Sequence, residues 1–472
     1  MSEARGRVID VDVGEILSPL DDDQRVVAET LGVPIAVIAG AGTGKTRTLT
    51  YRLAYAAHEG AIDPRATLAV TFTTAAASEV KQRLEAMGVV GVQSRTFHSA
   101  ALRQAQYFWP LTYGCALPRV EENRALLITQ ACERVGIKST KQVIAEISSE
   151  ISWTKQTNVV AEDYVELARA DHRQVTHVDL DQVADAIVAY EEAKQAACVI
   201  DLDDLLLCTV ALLATDQECA RTVRTTYRHF VFDEYQDLSP VQSRLVDLWV
   251  DGRADVCVVG DPQQTIHSFA GATSLYLDTF ATTHSHAEEM ELTRNYRSTP
   301  EILHAANLVS TRMQLQAIRG SGDPVELSPA TDSLDESVCS ARWLKDHHDA
   351  GLAWEEMALL FRTNAAAEAI RQILADEGIP FVPLKSDTDR RPGVRLGTLH
   401  AAKGLEWEAV GIGGLHDGSL PHPLATSEDR LREERRLLYV GMTRARSFLR
   451  LSWPTNVESR PTGASRFLAP LI

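Results

Sequence analysis

Short apolar runs alternate with helix-period segments along most of this chain. The first series of runs lies at 35–38, 67–73, 91–96, 229–232 and 255–260. A second lies at 357–362, 380–383, 394–398, 409–415 and 448–452. Apolar residues at three- and four-residue spacings predict helices over 46–58, 74–84, 365–377 and 430–439. Strands separated by helices imply an α/β fold with parallel sheets covered on both faces. From 100 to about 227 the alternation stops, and 121–135, 179–197 and 203–214 all carry helical spacing. This stretch predicts an α-helical insertion in the first α/β unit, its distal part between about 108 and 200. The chain divides into a tail at 1–19, a first core at 20–290 and a second at 291–472.

Composition narrows the setting. With 472 residues, two to four domains are expected. Hydrophobic content of 45% and charged content of 24% are ordinary for a soluble protein. No run of 18 apolar residues exists, so no membrane span is expected. The N-terminal residues lack the apolar core of a signal peptide. Seven scattered Cys with no CxxC pair argue against a zinc module, a cluster or a disulfide framework, and for a reducing cytoplasm. A net charge of −18 excludes gripping a polyanion by bulk charge. Any polynucleotide would be held by a local groove and by stacking.

Candidate chemistry begins at Ala39, Gly40, Ala41, Gly42, Thr43, Gly44, Lys45 and Thr46, a glycine-rich turn between an apolar run and a helix. Such a turn aims backbone N–H groups at a polyphosphate. Lys45 would reach the β- and γ-phosphates, and the Thr46 hydroxyl would ligate Mg²⁺. Asp233-Glu234 closes a later apolar run, where one carboxylate can hold the Mg²⁺ shell and its neighbour can activate water. Gln264 follows another run and could sense a γ-phosphate. Arg297, Arg362, Arg436 and Arg444 could supply the cation that phosphoryl transfer rewards, although Glu433 to Arg436 also reads as a solvated helix face. Phe72, Phe97, His98, His267 and Phe269 sit at or beyond strand ends. There they could stack on splayed bases or serve as core aromatics.

Taken in order, LDDDQR, AGAGTGKTRTL, AVTFTTAAASEVKQRL, RTFHS, IDLDDLL, VFDEYQDLSPVQ, VVGDPQQTIHSFAGA, ELTRNYRS, LLFRTNAAAEAI, TLHAAKGLEW and EERRLLYVGMTRAR resemble the motifs of superfamily 1 helicases of the UvrD/Rep/PcrA type. The resemblance runs from Leu20 to about Leu451, and the P-loop and DEYQD stretches look close to actinobacterial members. It implies two tandem RecA-like cores, ATP with Mg²⁺ in the cleft between them, and single-stranded DNA or its duplex junctions as partner. By matching position, Gln24 would read the adenine edge and Tyr296 stack on the base. Lys45, Thr46 and Arg47 would hold the phosphates, Asp233 would bind Mg²⁺, and Glu234 would be the general base. Gln264 would link the γ-phosphate to the DNA track. Arg297 and Arg444 would be arginine fingers, and Glu406 would touch the nucleotide. Phe72, Thr73, His98, His267, Phe269, Thr398 and His400 would line the strand.

This chain departs from the family pattern in three places. His267 stands where an aromatic Tyr is usual, and Ala270 where Arg is frequent, which removes a cation. Only ten residues, LKSDTDRRPG, separate Pro383 from Val394, where relatives carry a helical accessory domain. Ten residues make a loop and not a domain. About twenty residues follow the last strand, so no C-terminal extension is expected in its place. Three readings follow: a 3′–5′ helicase or translocase in repair or recombination, a motor subunit of a larger nuclease or anti-phage complex, or an ATPase switch with little unwinding of its own.

Overall fold

A computed structural model describes residues 13–384 and 391–472. They cluster into two compact units. The first contains 13–38, Lys45–Pro262 and His267–Glu291. The second contains Ala39–Gly44, Gln263–Ile266 and Leu292–Ile472. Of the tail expected over 1–19, residues 1–12 lie outside the described residues, and Val13–Leu17 form a short helix.

The strands of the first unit are β1 (Ile35–Ala39), β2 (Thr67–Thr71), β3 (Gln93–Thr96), β4 (Arg119–Glu121), β5 (Val199–Asp201), β6 (His229–Phe232), β7 (Val256–Gly260) and β8 (Glu288–Leu292). Six of them form one sheet in the order β3-β2-β6-β7-β1-β8. β1 with β7, β2 with β3 and β6, and β6 with β7 all pair in parallel. Parallel pairing brings the ends of β1, β2, β3, β6 and β7 to one edge, which gathers the motifs that follow them. β2 stops at Thr71 because Thr73 caps the next helix, its hydroxyl accepting from the Ala76 N–H at 3.1 Å.

Phe97 is a core residue and not a candidate for base stacking. It is buried, with its ring 6.2 Å from Phe232 and 6.1 Å from Trp249. The stretch expected to be wholly helical also holds the parallel pair β4 and β5, with Glu121 opposite Asp201. Three-residue strands are too short to show a period-two signal. The helices Ala125–Arg134, Lys141–Thr157, Tyr164–Ala170 and Leu180–Ala196 close over an apolar core of their own, centred on Ile128, Ile147, Ile151, Val183 and Ile187.

In the second unit, β9 (Arg294–Asn295) pairs with β10 (Gln316–Ala317). A second six-stranded sheet comprises β11 (Glu326–Ala330), β12 (Met357–Phe361), β13 (Phe381–Pro383), β14 (Val394–Thr398), β15 (Trp407–Ile412) and β16 (Ala445–Pro454). Its order is β11-β16-β15-β12-β14-β13, parallel throughout. β11 escapes pattern reading because it is a half-polar edge strand that tolerates Pro329. β13 and β14 are neighbours, Phe381 opposite Val394. Of the loop expected near 384–393, residues 385–390 lie outside the described residues. Among the described residues no helix is long and apolar enough to cross a membrane. The fold is α/β, with two tandem RecA-like units built on parallel sheets.

Candidate functional site

In the first unit the candidate hydrolysis residues meet at the sheet edge. Lys45 opens the helix Lys45–His58, directly after the glycine-rich loop. Thr46 is one residue on, and its Oγ1 donates to Asp233 Oδ2 at 3.3 Å across 187 positions of sequence. Asp233 is buried beyond the end of β6. Burial, then the neighbouring Glu234 charge, pushes its carboxyl up to about 7, against the pull of Lys45 and the Thr46 hydrogen bond. A carboxylate so placed gains from a cation. Thr46 and Asp233 together fit Mg²⁺, which takes one or two protein oxygens and leaves its other positions to phosphate and water.

Glu234 has φ +54°, a left-handed conformation that costs a non-glycine residue about 1–2 kcal/mol. Strain of that kind is held where surrounding contacts over-determine it. The Glu234 N–H donates to Asp233 Oδ1 at 2.9 Å, and its Oε2 accepts from Gln236 Nε2 at 2.5 Å. Gln236 also donates to Asp237 Oδ2 at 3.1 Å and accepts from the Asp261 N–H at 3.0 Å. This fully buried amide therefore ties the loop after β6 to the end of β7. A lone Gln carries no signal in sequence, and sequence reasoning missed its role.

Other candidates of the first unit have structural partners. Gln24 is buried, and its side chain completes a capping box with Asp21. Arg47 donates to the Pro19 carbonyl and lies 5.8 Å from the Tyr51 ring centre. Phe72 is half-buried, edge-on to Phe97 at 5.7 Å. Thr73 is exposed at its cap. His98 is half-buried, and burial holds its pKa below the ordinary value despite the charges of Asp203 and Asp201. Phe269 is 45% exposed, with His267 edge-on at 5.7 Å.

The loop Ala39–Gly44 is stitched within the second unit. The Asn295 amide donates to the Ala41 carbonyl at 2.6 Å, and the Tyr296 N–H to the Gly42 carbonyl at 2.9 Å. Gly42 has φ +68°, and a Cβ there would lie 2.5 Å from Asn295 Nδ2. Side chains are excluded both by conformation and by space. Tyr296 itself is 38% exposed.

Arg297, Glu406, Arg444 and Gln264 come together in this unit. Arg297 Nε donates to Glu406 Oε2, and its Nη1 to the Thr443 carbonyl at 3.2 Å. Glu406 is also paired with Arg446. Burial works to raise its pKa, but Arg297 and Arg446 hold it below the usual carboxylate range. Arg444 is buried, donating to the carbonyls of Val440 (2.9 Å) and Leu405 (3.3 Å), to Thr443 Oγ1 (3.2 Å) and to Gln264 Oε1 (3.3 Å). The Gln264 carbonyl accepts from Lys403 Nζ at 2.6 Å. Arg362 instead forks onto Glu434 at 2.7–3.0 Å. Because Glu434 is buried, the run from Glu433 to Arg436 is not simply a solvated face. Thr398 ends β14, its hydroxyl accepting from the Ala401 N–H at 3.3 Å, and His400 is half-buried two residues on.

A P-loop threonine bonded to a buried carboxylate, repeated parallel sheets and a second unit rich in ordered arginines define a RecA-like nucleotide-driven protein of the helicase class. Comparison sharpens this to a family. The UvrD/REP helicase N-terminal domain matches residues 20–285, and the UvrD-like helicase C-terminal domain matches 290–388 and 383–456. The chain belongs to the UvrD/Rep helicase family. It is 32% identical to the ATP-dependent DNA helicase UvrD2 of Mycobacterium tuberculosis, over 96% of this chain and 81% of that protein. It is 31% identical to UvrD1 of the same organism, over 78% of this chain and 50% of that protein. PcrA of Staphylococcus epidermidis is 29% identical, over 78% of this chain and 51% of that protein.

Proposed function

We propose that this chain is an ATP-driven motor that moves 3′ to 5′ along single-stranded DNA in DNA repair or recombination. The observation that carries the ATPase half is the Thr46–Asp233 contact, which joins a P-loop hydroxyl to a buried carboxylate beside Glu234. When bound, Mg²⁺ would supply charge neutralisation at the phosphates, held by Thr46 and Asp233. Lys45 binds the β- and γ-phosphates. Glu234 takes the proton of the attacking water, its carboxylate aimed by Gln236. Arg297 and Arg444 stabilise charge that develops on the γ-phosphoryl group, worth ~10³–10⁵ in rate for such a cation. Gln24 and Tyr296 contact the base, and Arg47 and Glu406 complete the nucleotide contacts. Phe72, Thr73, His98, His267, Phe269, Thr398 and His400 line the strand. Motif positions shared with the family support these roles.

Strand displacement on 3′- and 5′-tailed duplexes with ATP tests the reading, beside Glu234→Gln. Unwinding of the 3′-tailed duplex alone, lost in Glu234→Gln, is expected. No ATP hydrolysis in the presence of single-stranded DNA would overturn it.

A second reading has its own support. The alignment with UvrD2 spans 573 residues, more than the 472 of this chain, so about a hundred positions or more are present there and missing here. The two matches to the C-terminal domain overlap at 383–388, where the accessory insertion is expected to be reduced to a loop. A motor without that insertion would draw strand separation from a partner such as a nuclease or repair factor, or would act as a DNA-stimulated ATPase switch. Translocation without unwinding by the isolated chain, with unwinding restored in a co-purified complex, is its signature.

A further inference from the structure

The helix Lys141–Thr157 belongs to the insertion, yet its last turn reaches the hydrolysis loop. Lys155 Nζ sits among Asp204 Oδ1 (2.6 Å), Asp201 Oδ2 (2.7 Å) and Glu191 Oε1 (3.0 Å). Lys194 pairs with Asp204 and with Glu191 at 2.8 Å, and Arg124 reaches Asp203 at 3.0 Å. Burying so many charges stabilises little beyond what apolar packing would give, but the pairs link the helix Lys141–Thr157 to Glu191, Asp201 and Asp204. The next residue, Gln156, bridges outward from this cluster. Its Nε2 donates to Asp203 Oδ1 at 2.7 Å, and its Oε1 accepts from Ser239 Oγ at 2.6 Å.

Ser239 is the N-cap of the helix Pro240–Val250 and closes the DEYQD loop. Asp237, two residues earlier, accepts from the same Gln236 amide that holds Glu234. The helix end also backs the loop that carries Phe269. Gly271, at φ +86°, leaves room there: a Cβ would lie 3.0 Å from Thr157 Cγ2 and 3.5 Å from Gln156 Cβ. Arg173, forked onto Glu150 at 2.7 Å, donates to the Phe269 carbonyl at 3.2 Å. The Thr273 N–H donates to the Leu238 carbonyl at 3.1 Å.

We propose that Gln156 is a positioning residue that couples the Phe269 loop to Glu234 through Ser239. The inference rests on the reading above, that Phe269 contacts single-stranded DNA and Glu234 activates water. Strand binding at Phe269 shifts the end of this helix, and the Gln156–Ser239 hydrogen bond carries the shift to the loop that aims the base. The Gln156 side chain bonds to Asp203 and Ser239 and not to Thr46, Asp233 or Glu234, so its loss is expected to alter the response to DNA and not nucleotide affinity.

The test measures ATP hydrolysis with and without oligo-dT for wild type, Gln156→Ala, Ser239→Ala and the double variant. The ratio of the two rates is expected to fall at least five-fold in each single variant, with the ATP KM within two-fold. The double variant is expected to lose no more than either single one, since both remove one link. Full stimulation in Gln156→Ala, or additive losses in the double variant, would overturn the proposal. A rise in ATP KM matching the fall in rate would also overturn it, by assigning a merely structural role. If Gln156→Ala does not melt cooperatively, Ser239→Ala decides by the same criteria. Phe269→Ala separates the two levels. If it leaves oligo-dT binding unchanged, the strand-binding reading fails and this inference with it. Lost binding in Phe269→Ala beside full stimulation in Gln156→Ala overturns the coupling alone.

Discussion

Arg444 Nη2 donates to Gln264 Oε1 at 3.3 Å, joining two buried side chains 180 positions apart. The fork of Arg444 makes three further hydrogen bonds, so its guanidinium is held in one orientation. Preorganised charge of this kind costs no rearrangement during the reaction. Lysine keeps the charge and loses the fork. Arg444→Lys should therefore lower kcat for DNA-stimulated ATP hydrolysis by ten-fold or more, with a smaller change in KM, as read by steady-state kinetics.

The Lys45, Asp233 and Glu234 cluster predicts a different pattern for its two ends. Lys45→Ala should remove nucleotide binding and reduce hydrolysis by about two orders of magnitude or more. Glu234→Gln preserves shape and the Gln236 contact region but cannot take a proton. It should bind ATP with near-normal affinity and hydrolyse ~10²–10⁴-fold more slowly. Nucleotide titration followed by single-turnover hydrolysis distinguishes the two.

Phe269 is substantially exposed and outside the apolar core, so Phe269→Ala should leave the melting temperature nearly unchanged. One lost stacking contact is worth ~1–3 kcal/mol, which is about a 5- to 150-fold weaker affinity for oligo-dT. Fluorescence anisotropy at fixed salt measures it.

Acid should act on the insertion through Asp201. Burial works to raise its pKa, but Lys155 and Lys194 outweigh burial and hold it below the ordinary value. A depressed carboxylate contributes stability that is present above its unfolded value of about 3.9 and is lost as pH falls through its folded value. Asp201→Asn should thus be less stable than wild type at pH 7, and the gap should narrow below about pH 4. Urea melts at pH 7, 5, 4 and 3 follow it.

Much of this protein was legible from local pattern. β6 and β14 have the bounds expected over 229–232 and 394–398, because both are central strands in which apolar residues dominate, with His229 and Arg395 only half-buried. Asp21 capping the next helix and the turn at Gly42 follow from short-range sterics and hydrogen bonding. β4 and β11 were not legible, one being three residues long and the other a half-polar edge. For Phe97 the sequence leaves base and core both open, since an aromatic beyond a strand end reads the same in either place, and its packing on Phe232 and Trp249 puts it in the core.

The sequence by itself determined the family, the strand–helix alternation and the residue types at each motif, since these depend on spacing along the chain. The tertiary structure alone decided which of those residues share a hydrogen bond. Thr46 meets Asp233, Gln264 meets Arg444, Arg362 turns to Glu434, and Gln156 reaches Ser239. Each pair lies 72 or more positions apart, so sheet order and helix packing bring the partners together, and no local propensity encodes such contacts.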